Sequence, residues 1–231
     1  MSNLCIIPAR GGSKRIPKKN IKDFLGKPII AYSIEAALKS KLFDEVMVST
    51  DDEEIAKISK TYAASVPFMR SEKNANDYAV LADVIEEVLN EYKFLGKTFK
   101  NVCCILPTAP FISIEKIQSV YKKLEEENFD TVFPVLEFSF PIQRSLKIEN
   151  NKVSMVDANF LNTRSQDLPP RYHDAGQFYW CSVQAFLHQK KLLTNNSGVL
   201  IISQLEAQDI DTKIDWILAE LKYKIINGIS E

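Results

Sequence analysis

Residues 7–20, Ile7-Pro8-Ala9-Arg10-Gly11-Gly12-Ser13-Lys14-Arg15-Ile16-Pro17-Lys18-Lys19-Asn20, decide how the rest of the chain is read. The apolar run from Leu4 to Ile7 predicts a buried strand. It breaks at Pro8 into a loop with two adjacent glycines, followed by a dense basic patch. Six cationic side chains lie between Arg10 and Lys22 (Arg10, Lys14, Arg15, Lys18, Lys19, Lys22), with no acid until Asp23. Gly11 and Gly12 lack Cβ, which permits φ > 0 and lets backbone N–H groups approach an anion closely. Lysine and arginine on the same loop supply positive charge and forked donors for phosphate oxygens. Such a loop at the end of the first strand of an α/β sheet is a place where nucleotide phosphates bind. The same residues also suit a solvated turn. The pattern is neither a Walker A loop nor a Gly-x-Gly-x-x-Gly fingerprint.

Outward from this loop, strands and helices alternate. Periodicity predicts a helix from Pro28 to Ser40 with Ile30, Ile34, Ala37 and Leu38 on one stripe. Val46 to Ser49 predicts a second strand, and Thr50-x-x-Glu53 a capping box that opens a helix through Tyr62. Val66 to Met69 is a short apolar piece. Ala79 to Tyr92 has the clearest i, i+3, i+4 spacing in the chain. Asn101 to Leu106 predicts a buried strand stopped by Pro107, and Ser113 a cap for a helix with Ile117, Val120, Tyr121 and Leu124 inward. Thr131 to Val135 predicts the next strand. The alternation then breaks. Residues 136–174 read as an excursion with a hairpin around Asn150-Asn151, suited to a dimerisation arm or a substrate lid. Gly176 to Cys181 and Val199 to Ser203 predict strands, with a short helix from Ser182 to Gln189 between them. Thr212 caps a last helix, with Ile214, Ile217, Leu218, Leu221 and Ile225 expected inward. The expected architecture is a single three-layer α/β domain over residues 1–231, with a mainly parallel sheet covered on both faces.

Composition bounds the function. Hydrophobic content of 45%, charged content of 26% and a net charge of -1 describe an ordinary soluble domain. Near-neutrality argues against bulk binding to nucleic acid or anionic membrane, so the basic patch suits a small anionic ligand. No window approaches the roughly 20 apolar residues of a membrane span. The immediate entry into a strand makes a signal peptide unexpected. Cys5, Cys103, Cys104 and Cys181 sit in apolar runs without Cys-x-x-Cys or Cys/His zinc spacing, as expected of reduced thiols in a cytoplasmic protein.

Two further clusters stand out. Asp209-Ile210-Asp211 places two carboxylates at i and i+2 around an apolar residue expected to face the core. Such a pair holds one Mg²⁺, completed by water and phosphate oxygens, or serves as surface acids before a helix. Residues 162–167 and 171–177 are dense in polar donors yet lead into an apolar strand. Arg164 or Arg171 suits a substrate carboxylate, and His173 or Gln177 suits hydroxyls. His188 reads as a surface residue. No nucleophile elbow or Ser-His-Asp order is present, which favours direct displacement at phosphorus.

With these residues in view, the stretch from Ile7 to Asn20 resembles the signature of cytidylyltransferases that activate nine-carbon acidic sugars, such as the CMP-sialic acid synthetases. The likeness extends through residues 27–37, Val48-Ser49-Thr50-Asp51-Asp52, Pro107-Thr108-Ala109-Pro110 and Asp209-Ile210-Asp211-Thr212, and so over essentially the whole chain. Within that family, residues 108–111, 140–144, 162–169 and 172–180 are most similar to pseudaminic acid cytidylyltransferases. Leu106 stands where sialic acid synthetases usually carry Gln, and His173-Asp174-Ala175-Gly176 where they carry an Arg-Pro-Asn-Gly-like segment.

The resemblance implies a Rossmann-like fold of the nucleotide-diphospho-sugar transferase type. It implies a homodimer in which the 136–174 arm crosses to the second subunit. CTP would be held by Arg10, Ser13 and Lys14 at the phosphates, with Gly11, Gly12 and Thr108 lining the nucleotide site. Lys19 and Asn20 would steady the triphosphate and cytidine, and Arg70 would sit near the base. Arg164, Gln166, His173, Asp174 and Gln177 would meet the sugar, while Asp209 and Asp211 would bind Mg²⁺. Arg10 and Lys14 would neutralise phosphate charge. Asp211 or a metal-bound hydroxide would take the hydroxyl proton. A CMP-sialic or CMP-legionaminic acid synthetase, a glycosyltransferase of similar fold and a non-catalytic nucleotide-binding module are the alternatives.

Overall fold

A computed structural model describes residues 2–229. Eleven strands run in chain order: β1 (Asn3–Pro8), β2 (Asp23–Phe24), β3 (Lys27–Pro28), β4 (Glu45–Ser49), β5 (Asn101–Ile105), β6 (Thr131–Glu137), β7 (Leu146–Glu149), β8 (Lys152–Met155), β9 (Tyr172–Asp174), β10 (Phe178–Ser182) and β11 (Ser197–Ile202). Seven helices accompany them: α1 (Ile29–Ser40), α2 (Glu53–Thr61), α3 (Glu72–Ala75), α4 (Leu81–Phe94), α5 (Ile114–Glu126), α6 (Val183–Gln189) and α7 (Lys213–Asn227).

The main sheet is ordered β11-β6-β10-β5-β1-β4, with β9 added to β6. β4, β1, β5, β6 and β11 share one direction, whereas β10 and β9 run against it. β10 reverses because the chain returns to the sheet from the excursion, not from a crossover helix. Helices cover both faces. Ile30, Ile34, Ile55, Ile117, Val120 and Leu124 close one face. Ile85, Val88, Leu89, Tyr92 and Phe186 close the other. All four cysteines are free and buried between these layers. Burial pushes the Cys104 thiol up to about 12.

Most predicted boundaries hold within a residue or two. Ser113 caps α5 by accepting from Lys116 N, and Thr212 caps α7 in a capping box with Asp215. At α2 the cap is Asp52 rather than Thr50. The Asp52 carboxylate accepts from Glu54 N and Ile55 N, and Thr50 Oγ1 receives the Asp52 N–H instead. The hairpin is β7–β8, turned by Asn150 and Asn151 at φ 50° and 59°. β9, inside the excursion, is stitched to Val135–Glu137.

The last helix reverses the expected face. Ile214, Ile217, Leu218, Leu221 and Ile225 are exposed, whereas Trp216 and Ala219 are buried. An aromatic cluster decides this orientation. Phe24 meets Trp216 at 5.6 Å, Tyr223 at 5.7 Å and Tyr32 at 5.5 Å between ring centroids, all edge to face. Trp216 also donates its Nε1–H to Glu220, and Lys22 lies over its ring at 4.2 Å. Large rings that pair in preferred geometry outweigh a longer stripe of aliphatic residues.

Candidate active site

β1, β4 and β5 are parallel, so their carboxyl ends lie together, the usual position for a ligand cleft in an α/β sheet. The loop after β1 is fixed there by its own side chains. Buried Asn20 donates its amide to Arg10 O at 2.9 Å, and Ala9 N donates to Ser49 O at 2.9 Å. Lys18 adopts the left-handed region, φ 51°. Ile16 is buried in the cluster that also holds Ile210, Phe24 and Trp216. That shared apolar contact brings the first loop to the segment before α7, and Ile210 faces the core as its neighbours predicted.

The result is a cavity of about 450 Å³ lined by Arg10, Ser13, Lys14, Arg15, Lys19, Asn20, Asp77, Thr108, Asp209 and Asp211, with Pro8, Ile16, Leu106 and Pro107 beneath. The basic loop and the twin acids, distant in sequence, are two walls of one cleft. Arg15 Nη2 stands 2.9 Å from Asp211 Oδ1, and Lys19 Nζ donates to Ile210 O at 2.6 Å. Asp209 is pushed above its ordinary range, first by burial and then by the neighbouring charge of Asp211. Asp215 is held low by the Thr212 hydroxyl and backbone N–H groups, so it is committed to the helix cap. Two carboxylates beside a cation-lined space fit a single Mg²⁺ that takes its remaining ligands from phosphate and water. Among the described residues no group of three or more His, Cys, Asp or Glu forms a metal cluster.

Two residues here were given no role by the sequence reading. Asp77 accepts from Arg10 Nη1 at 2.8 Å and from Lys14 Nζ at 2.5 Å. These cations hold its carboxyl below the ordinary range. Arg15 belonged to the basic run but lacked an assigned partner. No local pattern marks Asp77, because its partners are more than sixty positions away.

The glycines act otherwise than expected. Neither Gly11 nor Gly12 has positive φ. Gly11 is required for space: a Cβ there would meet Asp52 Oδ2 at 2.7 Å. Its N–H donates to Asp51 Oδ1 at 3.0 Å, so that donor is occupied within the fold. Arg70 does not line the cavity. It is buried behind it, donating Nε to Ser49 Oγ at 3.0 Å and Nη2 to Ser49 O, and burial lowers its pKa.

The sugar candidates do not join the cavity wall of their own chain. Arg164 is exposed and pairs with Asp167 through Nε–Oδ2 at 2.7 Å. Gln166 and Arg171 line a separate hollow of about 400 Å³ within the arm itself. His173 packs against Phe138 at 4.7 Å on exposed β9. Asp174 accepts from Tyr179 OH at 2.6 Å and from Gly176 N at 2.7 Å. Buried Gln177 donates to Glu206 O, and its Oε1 has no hydrogen-bond partner among the described residues.

A hollow of about 490 Å³ lies at the opposite end of β5 and includes Lys100, Glu125, Asp130 and His188. Lys100, Glu125 and Asp130 already have partners within the fold. Lys100 pairs with Glu125 at 2.5 Å, and Asp130 accepts from Gln189 and Thr194.

Comparison with known proteins finds relatives along nearly the whole chain. The cytidylyltransferase family model matches residues 4–220. The chain is 43% identical over 226 residues to a pseudaminic acid cytidylyltransferase of Campylobacter jejuni, covering 97% of each. It is 34% identical over 224 residues to the CMP-N,N'-diacetyllegionaminic acid synthase of Legionella pneumophila, covering 95% of each. A solved CMP:2-keto-3-deoxy-manno-octonic acid synthetase complexed with CTP shares the fold, with a TM-score of 0.71 at 16% identity over 99% of this chain and all of that one. The chain belongs to the cytidylyltransferase family.

Proposed function

We propose that this cytidylyltransferase condenses CTP with pseudaminic acid to give the CMP-sugar and pyrophosphate, with Mg²⁺ as cofactor. One observation carries the reading: Arg10, Lys14 and Lys19 converge with Asp209 and Asp211 on a single cavity at the carboxyl ends of β1 and β5. The 43% identity to a pseudaminic acid cytidylyltransferase supports the choice of sugar.

In this reading the hydroxyl on the sugar's anomeric carbon attacks the α-phosphorus of CTP and pyrophosphate leaves in line. Arg10, Ser13 and Lys14 grip the phosphates, and Arg10 and Lys14 neutralise the charge that develops there, an effect worth several kcal/mol. Lys19 and Asn20 hold the loop in the shape that presents those groups. Asp209 and Asp211 would hold Mg²⁺, which supplies charge neutralisation across the phosphate oxygens. Asp211 receives the hydroxyl proton. Buried Arg70 backs the base end of the cleft by fixing Ser49. The substrates in this reading, CTP and the sugar acid, are both small molecules. No helix among the described residues is long and apolar enough to cross a membrane.

The 136–174 arm crosses to a second subunit in this proposal. Two features support it. Its hairpin carries Leu146, Ile148 and Val153 exposed, and Phe140 is exposed beside it. Arg164, Gln166 and His173 do not line their own chain's cavity. In a homodimer the arm would bring them to the partner's sugar.

Incubation with CTP, Mg²⁺ and a panel of nonulosonic acids, followed by pyrophosphate measurement, tests the proposal. Turnover with pseudaminic acid well above that with legionaminic and sialic acids is expected. Absence of pyrophosphate with every acid overturns the activity. Preference for legionaminic acid overturns the sugar assignment only.

A further inference from the structure

The cations of the first loop are held by acids across the cleft. Arg10 and Lys14 share Asp77, at 2.8 and 2.5 Å. Arg15 Nη2 and Lys19 Nζ share one oxygen of Asp211, Oδ1, at 2.9 and 3.4 Å. The two cations on Asp211 differ in freedom. The Lys19 side chain is 21% exposed and also donates to Ile210 O, which keeps it in the wall. The Arg15 side chain is 68% exposed, lines the same cavity and is closer to the carboxylate. A long side chain held by one exposed ion pair is released at small cost. Arg15 is therefore the cation that yields.

Mg²⁺ at the acid pair competes with Arg15 for Asp211. The ion binds a carboxylate oxygen at about 2.1 Å, so ion and guanidinium on the same oxygen would stand at most about 5 Å apart. Like charges at that range repel. A triphosphate meets the mirror conflict. If it draws Arg15 away, the Asp211 carboxylate is left facing phosphate oxygens with less positive charge beside it. With both ligands bound the conflict is gone, because Mg²⁺ takes Asp211 and phosphate takes Arg15. Each ligand frees the group that the other needs. Two ligands linked in this way bind more tightly together than apart, by the same factor in either order.

We infer that Arg15 is a partner-exchanging residue: it neutralises Asp211 until Mg²⁺ binds there, then moves to the phosphates of CTP, and so couples metal binding to nucleotide binding. The inference rests on the Mg²⁺ site proposed above at Asp209 and Asp211. Asp215 is the competing destination, since the charge of Arg15 reaches it, but its carboxylate is already filled by the Thr212 cap.

Arg15→Gln tests this by binding alone, without turnover. Mn²⁺, counted by electron paramagnetic resonance, probes the metal site of the full chain with no nucleotide present. The variant should bind Mn²⁺ about two- to five-fold more tightly, the effect of removing one exposed ion pair. CTP at saturating Mg²⁺, measured by calorimetry without sugar, should bind about ten-fold more weakly, the effect of losing a charge-assisted contact. The opposite signs are the signature. A residue that only supports the loop would weaken both, and that result overturns the inference. Unchanged CTP affinity at saturating Mg²⁺ overturns it too, by showing that Arg15 does not reach the phosphates. Asp209→Asn separates the inference from the metal reading, because it removes the other carboxylate and leaves the Arg15 pair in place. It should weaken Mn²⁺ binding. Equal Mn²⁺ binding by that variant overturns the metal site and the inference with it. Weaker binding there, with no tightening in Arg15→Gln, overturns the inference alone.

Discussion

Lys19 Nζ stands 3.4 Å from Asp211 Oδ1, although 192 positions separate the two residues in the chain. The same amine donates to Ile210 O, so one lysine ties the cationic loop to both the backbone and the carboxylate of the acid segment. The spacing of the two cleft walls is thereby set by the protein before any nucleotide arrives. Preorganised charge of this kind avoids reorganisation during the reaction.

Asp211→Asn separates binding from chemistry. The substitution keeps the shape of the side chain and removes its charge. CMP-sugar formation should fall by roughly 100-fold or more, in the range for loss of one preorganised catalytic group. CTP binding, measured by calorimetry, should survive within a few-fold. Near-normal pyrophosphate release would remove Asp211 from the mechanism.

Asp77 occupies Arg10 and Lys14, the cations assigned to the triphosphate. A phosphate must compete with this carboxylate for the same donors. Asp77→Asn should therefore lower the dissociation constant for CTP about two- to five-fold at low ionic strength, consistent with the small worth of exposed ion pairs. The gain should vanish in high salt as the pairs are screened. Weaker CTP binding by the variant at every salt concentration would instead mark Asp77 as a support for the loop.

Asp209 carries a stability cost that changes with pH. Its carboxyl is raised above the ordinary 3.8 by burial and by Asp211. A carboxyl that holds its proton more tightly when folded favours folding at pH below 3.8. That contribution is lost as pH rises through the folded value. At pH 7 the ionised side chain is a burden on the metal-free protein. Asp209→Asn should raise the thermal midpoint at pH 7 in chelator, and the difference should shrink toward pH 4. A midpoint unchanged or lowered at pH 7 would contradict the assignment.

Gly11 and Gly12 offer a paired test of the loop. A Cβ at Gly11 meets Asp52 Oδ2 at 2.7 Å and Asp52 Cβ at 3.0 Å, whereas one at Gly12 meets nothing within 4 Å. Gly11→Ala should destabilise the protein by about 1–3 kcal/mol, the usual cost of forcing atoms into a packed site, and disturb the cap of α2. Gly12→Ala should be close to neutral. Urea unfolding of both variants reads the difference directly.

The sequence by itself determined what depends on neighbours along the chain. The buried strands were legible from their apolar runs, and the caps at Ser113 and Thr212 and the hairpin turn at Asn150-Asn151 because their hydrogen bonds span only a few residues. The basic loop and the Asp209-Ile210-Asp211 pair were legible as chemistry, since residue type and spacing carry that information. Only the tertiary structure decided what depends on packing across the fold. It brought Asp77 onto Arg10 and Lys14, made Gly11 a matter of space instead of φ, and put Arg70 behind the cleft rather than on its wall. It also turned α7 over. Amphipathic spacing offered two faces on that helix, and the ring contacts of Trp216 and Tyr223 with Phe24 selected the aromatic one. The physical reason is common to all four: each is set by atoms about twenty to nearly two hundred positions away, and local periodicity holds no record of them.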